Sequence, residues 1–136
     1  MACLDTTFLI DLAGNGGRGL RRRAEAKLRA LQLADDPLTT TRFNVAELWV
    51  GAARSSTPDV EAAAVETLVE SFLVLEFDSR AARIFGSIAA SAQSRGRPIG
   101  DMDALIASVA LCHGQKLVTR NERHFNEILG LVVETY

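Results

Sequence analysis

Five short β-type runs alternate with longer stretches of helical period, and this alternation leaves few folds open to the chain. The runs are Ala2 to Leu4, Leu38 to Thr41, Phe72 to Phe77, Lys116 to Thr119 and Leu131 to Glu134. Between them, apolar residues recur at helical spacing: Leu20, Ala24, Leu28 and Leu31; Val45, Leu48, Trp49 and Ala52; Ala81, Ile84, Phe85, Ile88 and Ala92; Met102, Leu105, Ile106 and Val109. Strands separated by helices pair in parallel, because each crossover returns the chain to the same sheet end. The expected class is therefore α/β: about five short, mostly parallel strands with helices on both faces. A length of 136 residues suits one domain, 1–136, with a real core. No internal repeat or linker interrupts it.

Local signals place the boundaries. Gly14 to Gly17 reads as a loop, and Asp35-Asp36-Pro37 breaks the helix before it. Thr57-Pro58-Asp59 opens a helix with a capping Thr, Pro at the first position and an acid in the first turn, and this helix runs to about Ser71. Phe72 to Phe77 reads as a buried strand. Asp78 or Ser79 caps the next helix and Gly96 ends it. Asp101 reads as an N-cap. Glu122 to Ile128 forms a short helix, broken by Gly130.

Composition removes several function classes. Hydrophobic residues are 48% and charged residues 24%, an ordinary globular balance. No apolar run approaches the roughly 20 residues of a membrane span, and no signal peptide is apparent. Cys3 and Cys112 lie in apolar segments without metal-ligand spacing, so they read as small core residues and a cytoplasmic location is the default. A net charge of -2 argues against a broadly basic nucleic-acid surface, though not against a local one beside a cation. The helix carrying Arg21, Arg22, Arg23 and Arg29 reads as a solvated face that can also meet phosphates or an acidic partner.

Three acids stand out. Asp5 ends the first run, where ligands of open α/β sheets collect; it also suits an N-cap, and the residues alone leave both readings open. Glu47 sits on a helix that is apolar on two sides, so its charge needs a compensating arginine or a metal. Asp103 opens a helix whose Ala107, Ala110 and Gly114 form a stripe of small residues. Gathered carboxylates require a shared cation or proton, and hard oxygen ligands suit Mg²⁺ or Mn²⁺ and phosphoryl chemistry. No phosphate-binding glycine loop with a following Lys-Ser/Thr is present. Neither His113 nor His124 has a marked nucleophile beside it.

The segments Leu4–Thr7, Val45–Ala52, Arg97–Ala107 and Leu117–Phe125 resemble, in this order, the motifs of PIN-domain ribonucleases, specifically the VapC toxins of toxin–antitoxin pairs. The likeness covers essentially the whole chain. It implies a PIN-like fold and an endoribonuclease, dependent on Mg²⁺ with Mn²⁺ substituting, that cleaves structured RNA such as tRNA or rRNA by a metal-activated water. It further implies a VapB-like antitoxin and a homodimer, with no membrane role. By position, Asp5, Glu47 and Asp103 are the catalytic and metal-binding acids. Thr6 and Thr119 hold the supporting hydroxyl positions, with Asp101 beside them. Asn121 occupies the fourth catalytic position, where relatives often carry an acid, so one metal rather than two is expected; His124 stands at a nearby place that also often holds an acid. Arg21, Arg22, Arg42 and Arg120 are candidate contacts to RNA or partner. Two rival classes are a PIN-like module that binds RNA or protein without cutting, and a phosphoacceptor receiver domain. The receiver needs a Lys ending the last strand, which is missing. Intact Asp5, Glu47 and Asp103 argue against the inert module.

Overall fold

Ala2–Leu4 (β1) becomes the central strand of the sheet, and the rest of the chain is wound about it. A computed structural model describes residues 1–136. In chain order, β1 is followed by α1 (Thr6–Leu12), α2 (Arg18–Leu33), β2 (Leu38–Thr41), α3 (Arg42–Arg54), α4 (Pro58–Val69) and β3 (Leu73–Leu75). Then come α5 (Ser79–Ser94), α6 (Asp101–Cys112), β4 (Lys116–Val118), α7 (Glu122–Phe125) and β5 (Val133–Glu134). The five strands form one sheet in the order β3-β2-β1-β4-β5, and every pair is parallel.

This order follows from handed crossovers. The chain steps outward from β1 to β2 to β3 with α1 to α4 on one face. It then crosses back to β4 and β5 with α5, α6 and α7 on the other, as right-handed connections demand. The period-2 alternation of β1 serves both layers. Ala2 and Leu4 pack with Phe8, Leu31, Leu48 and Val65 on the first face, whereas Cys3 packs with Ile106, Ala107, Ala110 and Phe125 on the second. Phe8 is fully buried and contributes about 2–3 kcal/mol by burial. The small-residue stripe of α6 behaves as its composition implies: Ala107 and Ala110 are wholly buried, so the helix lies close against the sheet.

The threonine run of β2 is a buried inner strand despite its polarity. Thr39 donates its hydroxyl to the Ala2 carbonyl at 3.1 Å and Thr40 to the Leu4 carbonyl at 2.8 Å. Each buried hydroxyl therefore has a partner, which removes most of its burial cost. The cysteines are free and buried, and burial pushes the Cys3 thiol up to about 12.

Several boundaries differ from expectation. The strand expected over Phe72–Phe77 is only Leu73–Leu75, with Leu73 66% exposed, because it is an edge strand with one neighbour. The last strand is likewise an edge and shortens to Val133–Glu134. The fourth helix ends at Val69, and α7 stops at Phe125, although Ile128 remains buried beyond it. Thr57 occupies the N-cap of α4 without a side-chain capping bond, while Asp78 caps α5 through the Ala81 N–H at 2.9 Å. Trp49 and Met102, expected in core stripes, are each 38% exposed, since they lie at the margins of their stripes. No helix is long and apolar enough to cross a membrane.

The far edge is tied by charge. Lys27 of α2 meets Glu134 of β5 at 2.7 Å, and Lys116 reaches Glu134 at 3.3 Å and Asp36 at 2.9 Å. The Lys27 ammonium, and less strongly Lys116, holds the Glu134 carboxyl below its ordinary value. A depressed carboxylate stabilises the fold above its ordinary pKa and loses that contribution as pH falls through the depressed value. Lys27→Met should therefore lower Tm by about 2–4 °C at pH 7, as expected for a partly exposed pair. The difference should shrink as pH falls below the ordinary carboxylate range. A gap that persists in acid would show that Lys27 acts through packing instead.

Candidate active site

The strand order reverses direction beside β1: β2 lies on one side and β4, reached through α5 and α6, on the other. Open parallel sheets leave a crevice at such a point, outside the carboxyl ends of the strands. Asp5 lies there. It follows β1 directly, its N–H extends the ladder to the Val118 carbonyl at 3.0 Å, and it is the N-cap residue of α1. Its side chain makes no capping bond. The carboxylate instead accepts from the Thr119 hydroxyl at 2.7 Å, the Thr7 hydroxyl at 3.1 Å and the Asn44 amide at 3.0 Å. The contact to Thr119, which follows β4, spans the crevice.

Glu47 reaches the same place from α3. Its carboxylate accepts a hydrogen bond from the Thr6 hydroxyl. Burial pushes this carboxyl up, the Thr6 bond opposes the shift, and the charges of Asp5 and Asp103 push it up further. Asp103, in the first turn of α6, pairs with His124 Nδ1 at 2.9 Å. Asp5 and Glu47 have no lysine or arginine partner, so the arginine pair considered for Glu47 does not form. Glu47 thus feels the charges of both Asp5 and Asp103, and the one basic side chain paired with any of the three is His124. The three acids do not close into a ready-made cage of three ligands, and each accepts from a protein donor. The donor set of carboxylates and hydroxyls is the hard-oxygen set that Mg²⁺ or Mn²⁺ prefers, and the uncompensated charge is what such a cation relieves.

The remaining expected residues are dispersed differently. Thr6 and Thr119 are buried beside the acids. Asn121 is exposed at the N-cap of α7, and its N–H is held by the Thr119 hydroxyl at 3.1 Å. Asp101 is exposed in the first turn of α6; Gly100 is the N-cap, and Asp101 makes no capping bond, which corrects the sequence reading. Of the four candidate contact arginines, three have acid partners: Arg21 with Glu25, Arg42 with Glu76 and Arg120 with Asp11. Arg22 is exposed on α2.

Two groups escaped the sequence reading. Asn44 completes a capping box with Thr41 at the start of α3 and turns its amide to Asp5 and to the Thr6 hydroxyl at 2.9 Å. The signal was present as Thr41-x-x-Asn44, with Asn in place of the usual Glu or Gln. The second is Asp11, which is wholly buried in α1 and accepts from Arg120 Nε at 2.9 Å and the Tyr136 hydroxyl at 2.7 Å. Burial, then the bond to Asp11, pushes the Tyr136 hydroxyl up to about 12, so it stays a donor. The backbone N–H of Arg120 also reaches the Thr7 hydroxyl at 3.1 Å, which links this cluster to Asp5. Gly16 completes its wall: a Cβ there would stand 1.9 Å from the Asp11 carboxylate. No local pattern announces contacts between residues more than a hundred positions apart.

An open parallel sheet with carboxylates gathered at its switch point suits a metal-dependent site, and comparison with known proteins defines the class. The PIN-domain family model matches residues 2–130. The chain is 32% identical to the tRNA(fMet)-specific endonuclease VapC of Shigella flexneri, over 98% of this chain and 96% of that protein. It is 31% identical to ribonuclease VapC2 of Haemophilus influenzae over the same shares. Among solved structures, the DNA-bound VapBC complex of Salmonella typhimurium aligns with TM-score 0.83 and 30% identity, covering 98% of this chain and 96% of that one. VapBC2 of Rickettsia felis bound to a promoter DNA fragment has the same fold, with TM-score 0.86 at 21% identity over 99% and 98%. The chain belongs to the PIN-domain family, among its VapC ribonucleases.

Proposed function

We propose that this protein is a Mg²⁺-dependent endoribonuclease, with Mn²⁺ as a substitute, that acts as the toxin of a toxin–antitoxin pair. The observation that carries the reading is the convergence of Asp5, Glu47 and Asp103 at the β1–β4 crevice without a lysine or arginine to neutralise Asp5 or Glu47. Asp5 and Asp103 hold the cation, with Glu47 as the third acid. When bound, the cation supplies Lewis-acid polarisation of the scissile phosphate and a nucleophile at neutral pH. Thr119, Thr7 and Asn44 fix the Asp5 carboxylate, and Thr6 fixes Glu47. Asn121 is neutral, so it orients water by hydrogen bonding and is a poor neutraliser of a second metal.

The relatives named as VapC ribonucleases and the VapBC complexes support both an RNA substrate, tRNA or another structured RNA, and a VapB-like antitoxin. Incubation of the purified protein with tRNA is the direct test: cleavage should require Mg²⁺ or Mn²⁺ and stop with EDTA. In cells, expression of the chain alone should arrest growth, and a small partner from the neighbouring reading frame should relieve it. Harmless expression of a protein that cuts RNA well in vitro would remove the toxin role and leave the nuclease.

A further inference from the structure

A groove of about 810 Å³ runs between α5 and the α7 segment and ends at Asp103 and His124. Its floor is apolar, with Ile88, Ile99 and Leu111. Arg83, Arg95, Arg97 and Arg123 line its walls against only two acids, Asp103 and Glu127, so it is locally positive on a chain whose net charge is -2. Arg97 pairs with Glu127 at 2.5 Å, and Arg95 donates to the Glu127 carbonyl at 3.2 Å. Arg83 and Arg123 are exposed and make no ion pair. Beyond Arg123 and His124 a second depression, of about 390 Å³, continues past Asn121 to Thr135 and has no apolar lining. The two depressions share Arg123 and His124 and so form one track, with Asp103, paired to His124, beside their junction.

We infer that this track seats the sugar–phosphate backbone of the RNA strand, with Arg83 and Arg123 contacting phosphates on the α5 side of the cleavage site. The inference rests on the ribonuclease reading and adds where the strand lies. A strand with its reacting phosphate at the acids must lay its neighbouring phosphates along the flanking surface, and this flank is the arginine-lined one. Guanidinium groups match phosphate geometry bidentately. No Phe, Tyr or Trp lines the track for base stacking, so it contacts backbone and carries little sequence preference. A second copy of this chain is the poorer occupant, because an isologous contact would press one positive face against another.

The test measures binding apart from cleavage. In the Asp5→Asn background, the affinity of a fluorescein-labelled tRNA is followed by anisotropy across a salt series. Arg83→Gln with Arg123→Gln should weaken binding at least about tenfold at 0.1 M salt. The same pair should reduce the slope of log K against log salt by about 1 per arginine. Arg54→Gln, exposed at the C-terminal end of α3, should change neither. Unchanged affinity and slope in the groove pair would overturn the assignment. So would a loss of binding that accompanies a drop in mass by light scattering, which would give the groove to a second copy. If the wild type cuts no RNA while the groove pair still loses binding, the ribonuclease reading falls and the track stands.

Discussion

Asp5→Asn is expected to abolish RNA cleavage, by about a thousandfold or more, and to remove measurable Mn²⁺ binding while the fold survives. Loss of an outer-sphere partner alone costs about 10–100-fold in metal affinity or activity, and Asp5 is the central carboxylate rather than a partner to one. The substitution is mild for folding. The new amide oxygen can still accept from the Asn44 amide, and the Thr119 and Thr7 hydroxyls can turn to accept from the new N–H₂. A thermal melt close to wild type, with calorimetric Mn²⁺ titration and an RNA cleavage assay, separates the two effects. Wild-type-like cleavage would end the assignment of Asp5. Loss of cleavage with a collapsed melt would leave the effect structural.

Arg120→Ala is expected to cost about 3 kcal/mol of stability, because it strands a buried charge. Asp11 has no solvent exposure, and Arg120 is its only cationic partner. The guanidinium itself is 42% exposed, so the penalty falls on the carboxylate left behind rather than on the arginine removed. For a chain of this size the drop in Tm is about 10 °C. Arg120→Lys should recover only part of it, since an ammonium cannot reproduce the two contacts at 2.9 and 3.4 Å. Asp11→Leu combined with Arg120→Leu should recover more than half, because it removes both charges together. An Arg120→Ala melt within about 2 °C of wild type would show that Asp11 finds other compensation, with Tyr136 as the remaining donor.

The arginines show why charge along a sequence misleads about surface charge. The cluster from Arg18 to Arg29 is conspicuous in one dimension, yet it lies on α2, and Arg21 is paired within that helix. The groove arginines are scattered over forty-one positions, from Arg83 to Arg123, and become a set only where they line one groove. Asp11 misleads in the opposite way: in sequence it is one acid on an amphipathic helix, and in the fold it is a buried anchor.

By itself the sequence determined the alternation of strand and helix, and with it a parallel α/β sheet. Period and turn chemistry are local properties, and crossover handedness then leaves little topological choice. It also singled out Asp5, Glu47 and Asp103, because a carboxylate at a strand end, among apolar neighbours or in a first helical turn is conspicuous without knowing its partners. Only the tertiary structure decided what holds them. That Asn44 braces Asp5, that His124 faces Asp103 and that Tyr136 closes over Asp11 depend on contacts between distant segments. The length of the outer strands was decided there as well. An edge strand is set by how much of its single neighbour it covers, and β3 and β5 stop where that pairing stops.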